Sequence, residues 1–152
     1  MNLKQNLKEI LEDIGRIRKI IDHVRDFSRI QKDEITEIFN VNYSVNNALT
    51  MTKKMYSQAQ IDTNLNLQKN ICDINGNPYK FEQVILNLLS NAKDAVENNS
   101  NEKRKHIIVT TYETSNEIKI SVKDNGTGIS EQDYAKIFLP FYTKKKPGKG
   151  TG

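Results

Sequence analysis

The stretch FEQVILNLLSNAKDAV, residues Phe81–Val96, decides the fold of this chain. Its apolar residues recur at the 3.6-residue period of an amphipathic helix, so one broad side of the helix is expected to face a core. Asn87, Asn91 and Asp94 are spaced by four and then three residues, which places them together on one face. A merely wet face usually carries lysine and glutamate, because asparagine and aspartate are poor helix formers. These three side chains are therefore candidates for binding, and from this segment alone a plain solvated face stays the alternative.

The chemistry of that face suggests a ligand class. An amide oxygen that projects from a helix is a hard oxygen donor of the kind that suits Mg²⁺. This cation keeps most of its water molecules and binds one or two protein oxygens together with substrate phosphates. A helix face rich in asparagine is thus a candidate site for magnesium and phosphate.

The segment DNGTGI, Asp124–Ile129, is the second candidate site. It follows a predicted strand directly, and an aspartate at the end of a buried strand is costly unless its carboxylate has a partner. The exocyclic amine of a nucleotide base would serve as that partner. Gly126 and Gly128 would allow a sharp turn and the close approach of a ligand. Taken alone, the segment is more typical of an ordinary glycine-rich turn.

A glycine-dense segment, GKGTG, occupies Gly148–Gly152, with Lys144, Lys145, Lys146 and Lys149 around it. Backbone N–H groups beside glycines, with lysines nearby, form an environment suited to phosphate. The segment is not a Walker A loop, because the spacing G-x-x-x-x-G-K-[ST] is not present. As a lone motif it fits a flexible terminus equally well.

The first segment of the chain carries a heptad seam, which predicts a helix of about 30 residues or roughly 45 Å. The seam residues are Leu3, Leu7, Ile10, Ile14, Ile17, Ile21 and Val24. Such a seam must bury against another helix, so we expect a homodimer formed by a second copy of the chain. The alternative, a coiled-coil spacer, implies the same dimer.

The remaining pattern predicts a mixed α+β domain. Strands are expected at 35–42, 61–67, 106–112 and 117–124, on the basis of alternation and β-branched residues. Helices are expected at 45–58 with Ser44 as N-cap, from Asn77 and Pro78 to Val96, and briefly after Ser130. DINGNP, residues 73–78, is typical of a turn. We therefore divide the chain into a helix, 1–33, and an α+β domain, 34–152.

Composition excludes several classes of protein. The chain has 152 residues, enough for about one domain, with 28% charged and 36% hydrophobic residues. The net charge of +4 comes largely from lysine-rich loops without interleaved aromatic residues, so no nucleic-acid partner is expected. Cys72 is alone, which excludes a disulfide framework. No signal peptide or membrane span is evident, so a cytoplasmic location is expected, and a membrane anchor elsewhere in a longer parent stays open.

The candidate motifs occur in an order that makes a resemblance specific. The sequence resembles the ATP-binding region of sensor histidine kinases of two-component systems, within the superfamily that includes gyrase and the Hsp90 chaperones. FEQVILNLLSNAKDAV resembles the N box, DNGTGI the G1 box, IFLPFYTKK the F box and GKGTG the beginning of the G2 box. RIRKIIDHVRDFSR, residues 16–29, resembles the second helix of the dimerisation domain. The resemblance implies an incomplete α/β-sandwich ATP-binding domain of the Bergerat type behind a dimerisation helix.

The resemblance also implies roles for individual residues, with ATP and Mg²⁺ as ligands and no catalytic side chain assigned. Asn91 would bind Mg²⁺, Asn87 would line the triphosphate, Asp94 would face the nucleotide pocket, and Asp124 would accept a hydrogen bond from the adenine amino group. The remaining nucleotide-binding residues would be Gly126 and Gly128 beside the base, Phe138 in a mobile lid, Lys144 near the phosphates, and Gly148, Gly150 and Gly152 around the phosphates. Related ATPases carry glutamate where Asn87 stands, and an amide cannot be the base that activates water. The resemblance thus implies phosphoryl transfer to a histidine and onward to the receiver domain of a response regulator.

The sequence departs from the family in two ways. The phospho-acceptor motif of the first dimerisation helix is not present, and His23 lies on the match to the second helix, so we assign it no acceptor role. The family continues beyond the G2 glycines, so we expect a fragment of a longer kinase that is inactive alone. The alternatives are a non-catalytic dimerisation fragment that binds no ATP and a related ATPase or serine kinase.

Overall fold

The computed structural model describes residues 35–100, 104–139 and 142–143, which belong to two units. The unit that ends at Gly128 contains β1 (Glu37–Phe39), α1 (Val41–Gln58), β2 (Ile61–Leu67), β3 (Ile74–Gly76), α2 (Pro78–Glu97), β4 (Lys105–Glu113) and β5 (Ile118–Asp124). The described part of the other unit begins at Ile129 and contains α3 (Glu131–Tyr134). The predicted helix of residues 1–33 lies outside the described residues, and so does its predicted dimer contact.

The strands form two sheets. β1 pairs antiparallel with β3, with Glu37 opposite Gly76. The larger sheet has the order β2-β4-β5, in which β2 runs parallel to β4 and β4 runs antiparallel to β5. Parallel neighbours cannot be joined by a tight hairpin, and here the connection from β2 to β4 contains β3 and the whole of α2. Because β4 and β5 are antiparallel, the start of β4 lies beside the end of β5.

Both long helices cover the same face of the larger sheet. Ile107 and Val109 alternate along β4 and are fully buried. They belong to one apolar cluster with residues of both helices and β2, namely Val45, Ala48, Tyr56, Ile61, Ile85, Leu89, Ala92 and Val96. Burial of this apolar surface is the main stabilising contribution to such a fold. Because α2 buries Ile85, Leu89, Ala92 and Val96 in this core, the packing determines the direction in which its polar face points.

A buried tyrosine joins the two helices. The Tyr56 hydroxyl donates a hydrogen bond to the Leu89 carbonyl oxygen at 2.9 Å. Its burial away from water disfavours the phenolate and raises the pKa of Tyr56 to about 12. The side chain thus combines apolar contact with one directed bond to the middle of α2.

The predicted start of α1 is wrong. The helix begins at Val41, and its N-cap is Asn40, whose side chain accepts a hydrogen bond from the Asn42 backbone N–H at 3.0 Å. Ser44 lies inside the helix, buried, and its hydroxyl has no hydrogen-bond partner among the described residues. The earlier helix start is favoured because it buries Val41 on the same side of α1 as Val45.

The predicted strands need smaller corrections. β2 has the predicted bounds, β4 extends one residue further at each end, and β5 begins one residue later. The strand predicted at 35–42 shortens to Glu37–Phe39, because α1 takes over its second half. The segment predicted as a plain turn at 73–78 contains the short strand β3. Asn77 caps α2 as predicted, accepting a hydrogen bond from the Lys80 N–H at 3.0 Å, with Pro78 at the first helical position.

Candidate functional site

The polar face of α2 lies where the sequence placed it. Asn87 and Asn91 are exposed, Asp94 is half-buried, and the helix buries its other side through Ile85 and Leu89. Asn91 and Asp94 both have interaction partners. At 1.5 Å per residue, the face from Asn87 to Asp94 is about 10 Å long. The apolar side is narrower than expected, because Val84 and Leu88 remain 56% and 41% exposed.

The Asp124 carboxylate is held by its own turn. Its Oδ1 accepts a hydrogen bond from the Gly126 backbone N–H at 2.8 Å. Asp124 is half-buried and is the last residue of β5, opposite Ile107 of β4. An ionised carboxylate has room for about four hydrogen bonds, so one N–H donor orients the group without saturating it.

Position 126 has no room for a side chain, because the turn packs directly against α2. A Cβ atom added at this position would lie 2.4 Å from the Ala95 carbonyl carbon and 2.5 Å from the Ala95 Cβ. The Thr127 N–H donates to the Ala95 carbonyl oxygen at 3.2 Å. Because Ala95 follows Asp94, these contacts bring the Asp124 turn to the end of the α2 polar face. The helix face and the turn thus lie next to each other.

Gly128 is required for a different reason. Its φ is +69°, a left-handed conformation that favours glycine, and an added Cβ would meet nothing within 4 Å. The expectation for both glycines was close approach to a base. The geometry shows tight packing on Ala95 at Gly126 and a backbone requirement at Gly128.

Two asparagines that sequence reasoning missed hold the turn. The Asn125 side chain accepts from the His106 N–H at 2.9 Å and donates to the Arg104 carbonyl oxygen at 2.7 Å. The Asn99 Nδ2 donates to the carbonyl oxygens of Asn125, at 2.9 Å, and Gly126, at 3.2 Å. Asn99 lies in the loop between α2 and β4. Its sole sequence signal is an asparagine just after a helix, which is common.

The other unit contains the start of the predicted lid. Asp133 is buried, and its carboxylate accepts hydrogen bonds from the Ser130 hydroxyl and from the Tyr142 hydroxyl, the latter at 2.6 Å. Ser130 stands at the N-cap position of α3 as predicted, but its hydroxyl bonds this carboxylate and not a backbone N–H. Phe138 is 90% exposed. The segment thus has an internal polar anchor and an exposed aromatic side chain.

The remaining predicted site residues lie outside the described residues: Lys144, Gly148, Gly150 and Gly152. Within the described ranges, no group of three His, Cys, Asp or Glu side chains is arranged to hold a metal ion. A cation at the α2 face would therefore rely on amide oxygens, water and ligand phosphates, which is the mode that Mg²⁺ favours. The donor set fits that ion. In the same ranges no helix is both long and apolar enough to cross a membrane.

Away from this face, one thiol has an acidic neighbour. The Cys72 backbone N–H donates to the Glu113 carboxylate at 2.9 Å. A hydrogen bond between the thiol and Glu113, followed by the negative charge of that carboxylate, raises the pKa of Cys72. The same pair lowers the pKa of Glu113. The thiol is exposed and remains protonated to a higher pH than a free cysteine.

Comparison with known proteins decides the family. The profile of the histidine kinase-, DNA gyrase B- and HSP90-like ATPases matches residues 76–152, half of the chain. The chain belongs to this ATPase family. The signal transduction histidine-protein kinase AtoS of Escherichia coli is 31% identical over 150 residues, which are 98% of this chain and 24% of AtoS. The kinase ArlS of Staphylococcus haemolyticus is 28% identical over 160 residues, covering 99% of this chain and 34% of ArlS.

Solved structures agree with this family assignment. The catalytic domain of histidine kinase ThkA, in a nucleotide-free form, has a TM-score of 0.66 at 25% identity, covering 77% of this chain and 74% of that domain. ThkA in complex with the response regulator TrrA gives a TM-score of 0.71 at 24% identity, covering 93% of this chain and 41% of ThkA. The resemblance to sensor histidine kinases is confirmed, as is the α+β ATP-binding fold. The chain spans about a quarter to a third of the two curated relatives named above.

Proposed function

We propose that this chain supplies the ATP-binding part of a sensor histidine kinase, which presents the γ-phosphate of ATP for transfer to a histidine. One observation carries the proposal: the Asp124 turn is packed against Ala95, at the end of the helix face that contains Asn87, Asn91 and Asp94. An acceptor for a base amine and a row of oxygen donors for a metal–phosphate group thereby belong to one site.

The base end of the site is the Asp124 carboxylate. One oxygen accepts the Gly126 N–H, and the remaining acceptor positions suit the exocyclic amine of adenine. A base that carries a carbonyl oxygen at the same place would meet a negative acceptor and be repelled. The arrangement therefore favours ATP over nucleotides that lack the amine.

The phosphate end is the exposed part of the α2 face. We assign Asn91 to Mg²⁺ and Asn87 to the triphosphate, with Asp94 facing the nucleotide. The metal would neutralise phosphate charge, and the amides would orient it without adding charge of their own. From their match to the family motifs alone, we also propose Phe138, Lys144, Gly148, Gly150 and Gly152 as nucleotide-binding residues.

Transfer is favoured over hydrolysis by the amide at Asn87. An amide cannot accept a proton from an attacking water molecule, so the site contributes positioning and charge neutralisation to an in-line transfer. The acceptor would be a histidine on a dimerisation helix, followed by the receiver domain of a response regulator. A partner of that class is supported by the complex of ThkA with TrrA. Because ATP is a cytoplasmic nucleotide, the proposal places this part of the protein in the cytoplasm.

Calorimetry with Mg-ATP tests the site on this chain and on Asp124→Asn, with Asp62→Asn as the matched control. Asp62 is an exposed aspartate on β2. A hydrogen bond to a charged group contributes about 1.5–3 kcal/mol, so Asp124→Asn should weaken ATP about 10- to 100-fold while the control binds normally. Equal affinities for the two variants, or no binding by the unchanged chain, would contradict the proposal.

The reaction itself is tested by adding a separate helix that carries an acceptor histidine. Acid-labile phosphate should form on that helix when ATP and Mg²⁺ are present. Release of inorganic phosphate at the same rate without any acceptor would favour hydrolysis and overturn the assignment of Asn87.

A further inference from the structure

The Asn125 side chain completes the β4–β5 ladder at the point where the backbone leaves it. The last pair of the ladder is Ile107 with Asp124, so Asn125 comes one residue later. Its amide accepts from the His106 N–H at 2.9 Å and donates to the Arg104 carbonyl oxygen at 2.7 Å. A side-chain amide offers the same donor and acceptor as a peptide group. Together with its backbone N–H, which donates to the His106 carbonyl oxygen at 3.4 Å, the Asn125 side chain thus continues the bonding of β4 beyond the last ladder pair.

The same turn is also bonded to α2 and to the loop that follows this helix. The Thr127 N–H donates to the Ala95 carbonyl oxygen in α2. From the loop after α2, the Asn99 amide donates to the carbonyl oxygens of Asn125 and Gly126. The Gly126 N–H of the turn is the donor that holds the Asp124 carboxylate.

We propose that Asn125, assisted by Asn99, is a positioning residue that fixes the Asp124 carboxylate for recognition of the exocyclic amine of the base, an inference that rests on the proposed function. Asn125 touches no ligand in this scheme and acts through the Gly126 N–H. Its contribution is to selectivity for the base, and not to the binding of the phosphates.

The chemistry requires an amide at position 125. Aspartate has nearly the same shape, but it offers only acceptors when ionised. At 2.7 Å from the Arg104 carbonyl oxygen it would replace a hydrogen bond by a repulsive contact, and it would add a negative charge beside Asp124. Asn125→Asp is therefore a nearly isosteric substitution that breaks one bond of the turn.

The test compares affinities for ATP and inosine triphosphate, in which a carbonyl oxygen replaces the amine. Asn75→Asp is the matched control, since Asn75 is an exposed asparagine that also precedes a glycine. We expect Asn125→Asp to reduce the preference for ATP over inosine triphosphate about tenfold, and Asn75→Asp to leave it unchanged. A purely structural role would weaken both nucleotides equally, and an unchanged ratio would overturn the inference.

A second measurement needs no nucleotide. Amide hydrogen exchange at Gly126 should be faster in Asn125→Asp and in Asn99→Ala than in the unchanged chain, and Asn75→Asp should not alter it. Unchanged protection of Gly126 would overturn the inference even if nucleotide binding is normal. Failure of the unchanged chain to bind ATP would instead overturn the proposed function, and the recognition role with it. The two failures are therefore distinguishable.

Discussion

Replacing Gly126 by alanine should disrupt the contact between the Asp124 turn and α2. The added Cβ would lie 2.4 Å from the Ala95 carbonyl carbon, whereas carbon atoms normally approach to about 3.5 Å. The helix cannot yield, because Ala92 and Val96 are buried in the core beside this contact. The turn must move by about 1 Å. Overpacking of this kind costs about 1–3 kcal/mol, and loss of the Thr127 bond to Ala95 adds about 1 kcal/mol.

We therefore expect Gly126→Ala to lower the free energy of unfolding by about 2–4 kcal/mol in urea denaturation followed by circular dichroism. Gly128→Ala should cost about 1–2 kcal/mol, because only its left-handed backbone is affected. Gly76→Ala is the control, since its Cβ would make an ordinary 3.5 Å contact with Phe39, and it should be neutral or slightly stabilising. Equal stability of the Gly126 and Gly76 variants would refute the packing argument.

Three further predictions follow from the geometry of other described residues. Asn40→Ala should lower the free energy of unfolding by about 1 kcal/mol because it removes the true N-cap of α1, whereas Ser44→Ala should be neutral or stabilising because the buried hydroxyl has no partner among the described residues. Glu113→Gln should lower the raised pKa of Cys72, so that the thiol reacts faster with iodoacetamide at pH 8, and an unchanged rate would exclude the proposed influence of the carboxylate. Tyr142→Phe should accelerate tryptic cleavage after Lys136, because it removes the hydroxyl that donates to the buried Asp133 carboxylate. Cleavage at the original rate would show that this hydrogen bond does not order the segment around α3.

The sequence predicts those elements whose signals are local. α2 was located by its apolar period together with Asn77 and Pro78, and the structure begins the helix at that proline. β3 escaped prediction because its partner, β1, lies more than 30 residues earlier and turn residues dominate its own sequence. The prediction of Ser44 as the N-cap of α1 was wrong because serine is a favourable N-cap in any sequence context. The helix instead begins at Val41, whose burial favours the earlier start. Such choices depend on tertiary contacts.

The candidate site shows the same division. Asp124 and its two glycines are recognisable because their chemistry is unusual at the end of a strand. Asn99 and Asn125 are not recognisable, because they act on each other across 26 residues of sequence and each is unremarkable in its own segment. A pattern can identify a group that would contact a ligand. It cannot identify the groups that hold it, since the contacts exist only after folding.

The distribution of charge along α2 explains how the proposed site would orient its ligand. Asn87 and Asn91 are neutral, whereas Asp94 and the adjoining Asp124 turn bring two acidic side chains to the end of the face that lies about 10 Å along the helix from Asn87. Phosphates are repelled from the acidic end and a base amine is attracted to it, so the nucleotide is favoured in one direction. In the proposed site, a lysine in place of Asn91 would compete with Mg²⁺, whereas an amide would bind the metal without adding a charge. That is a physical reason for asparagine on a helix where its low helix propensity would otherwise disfavour it.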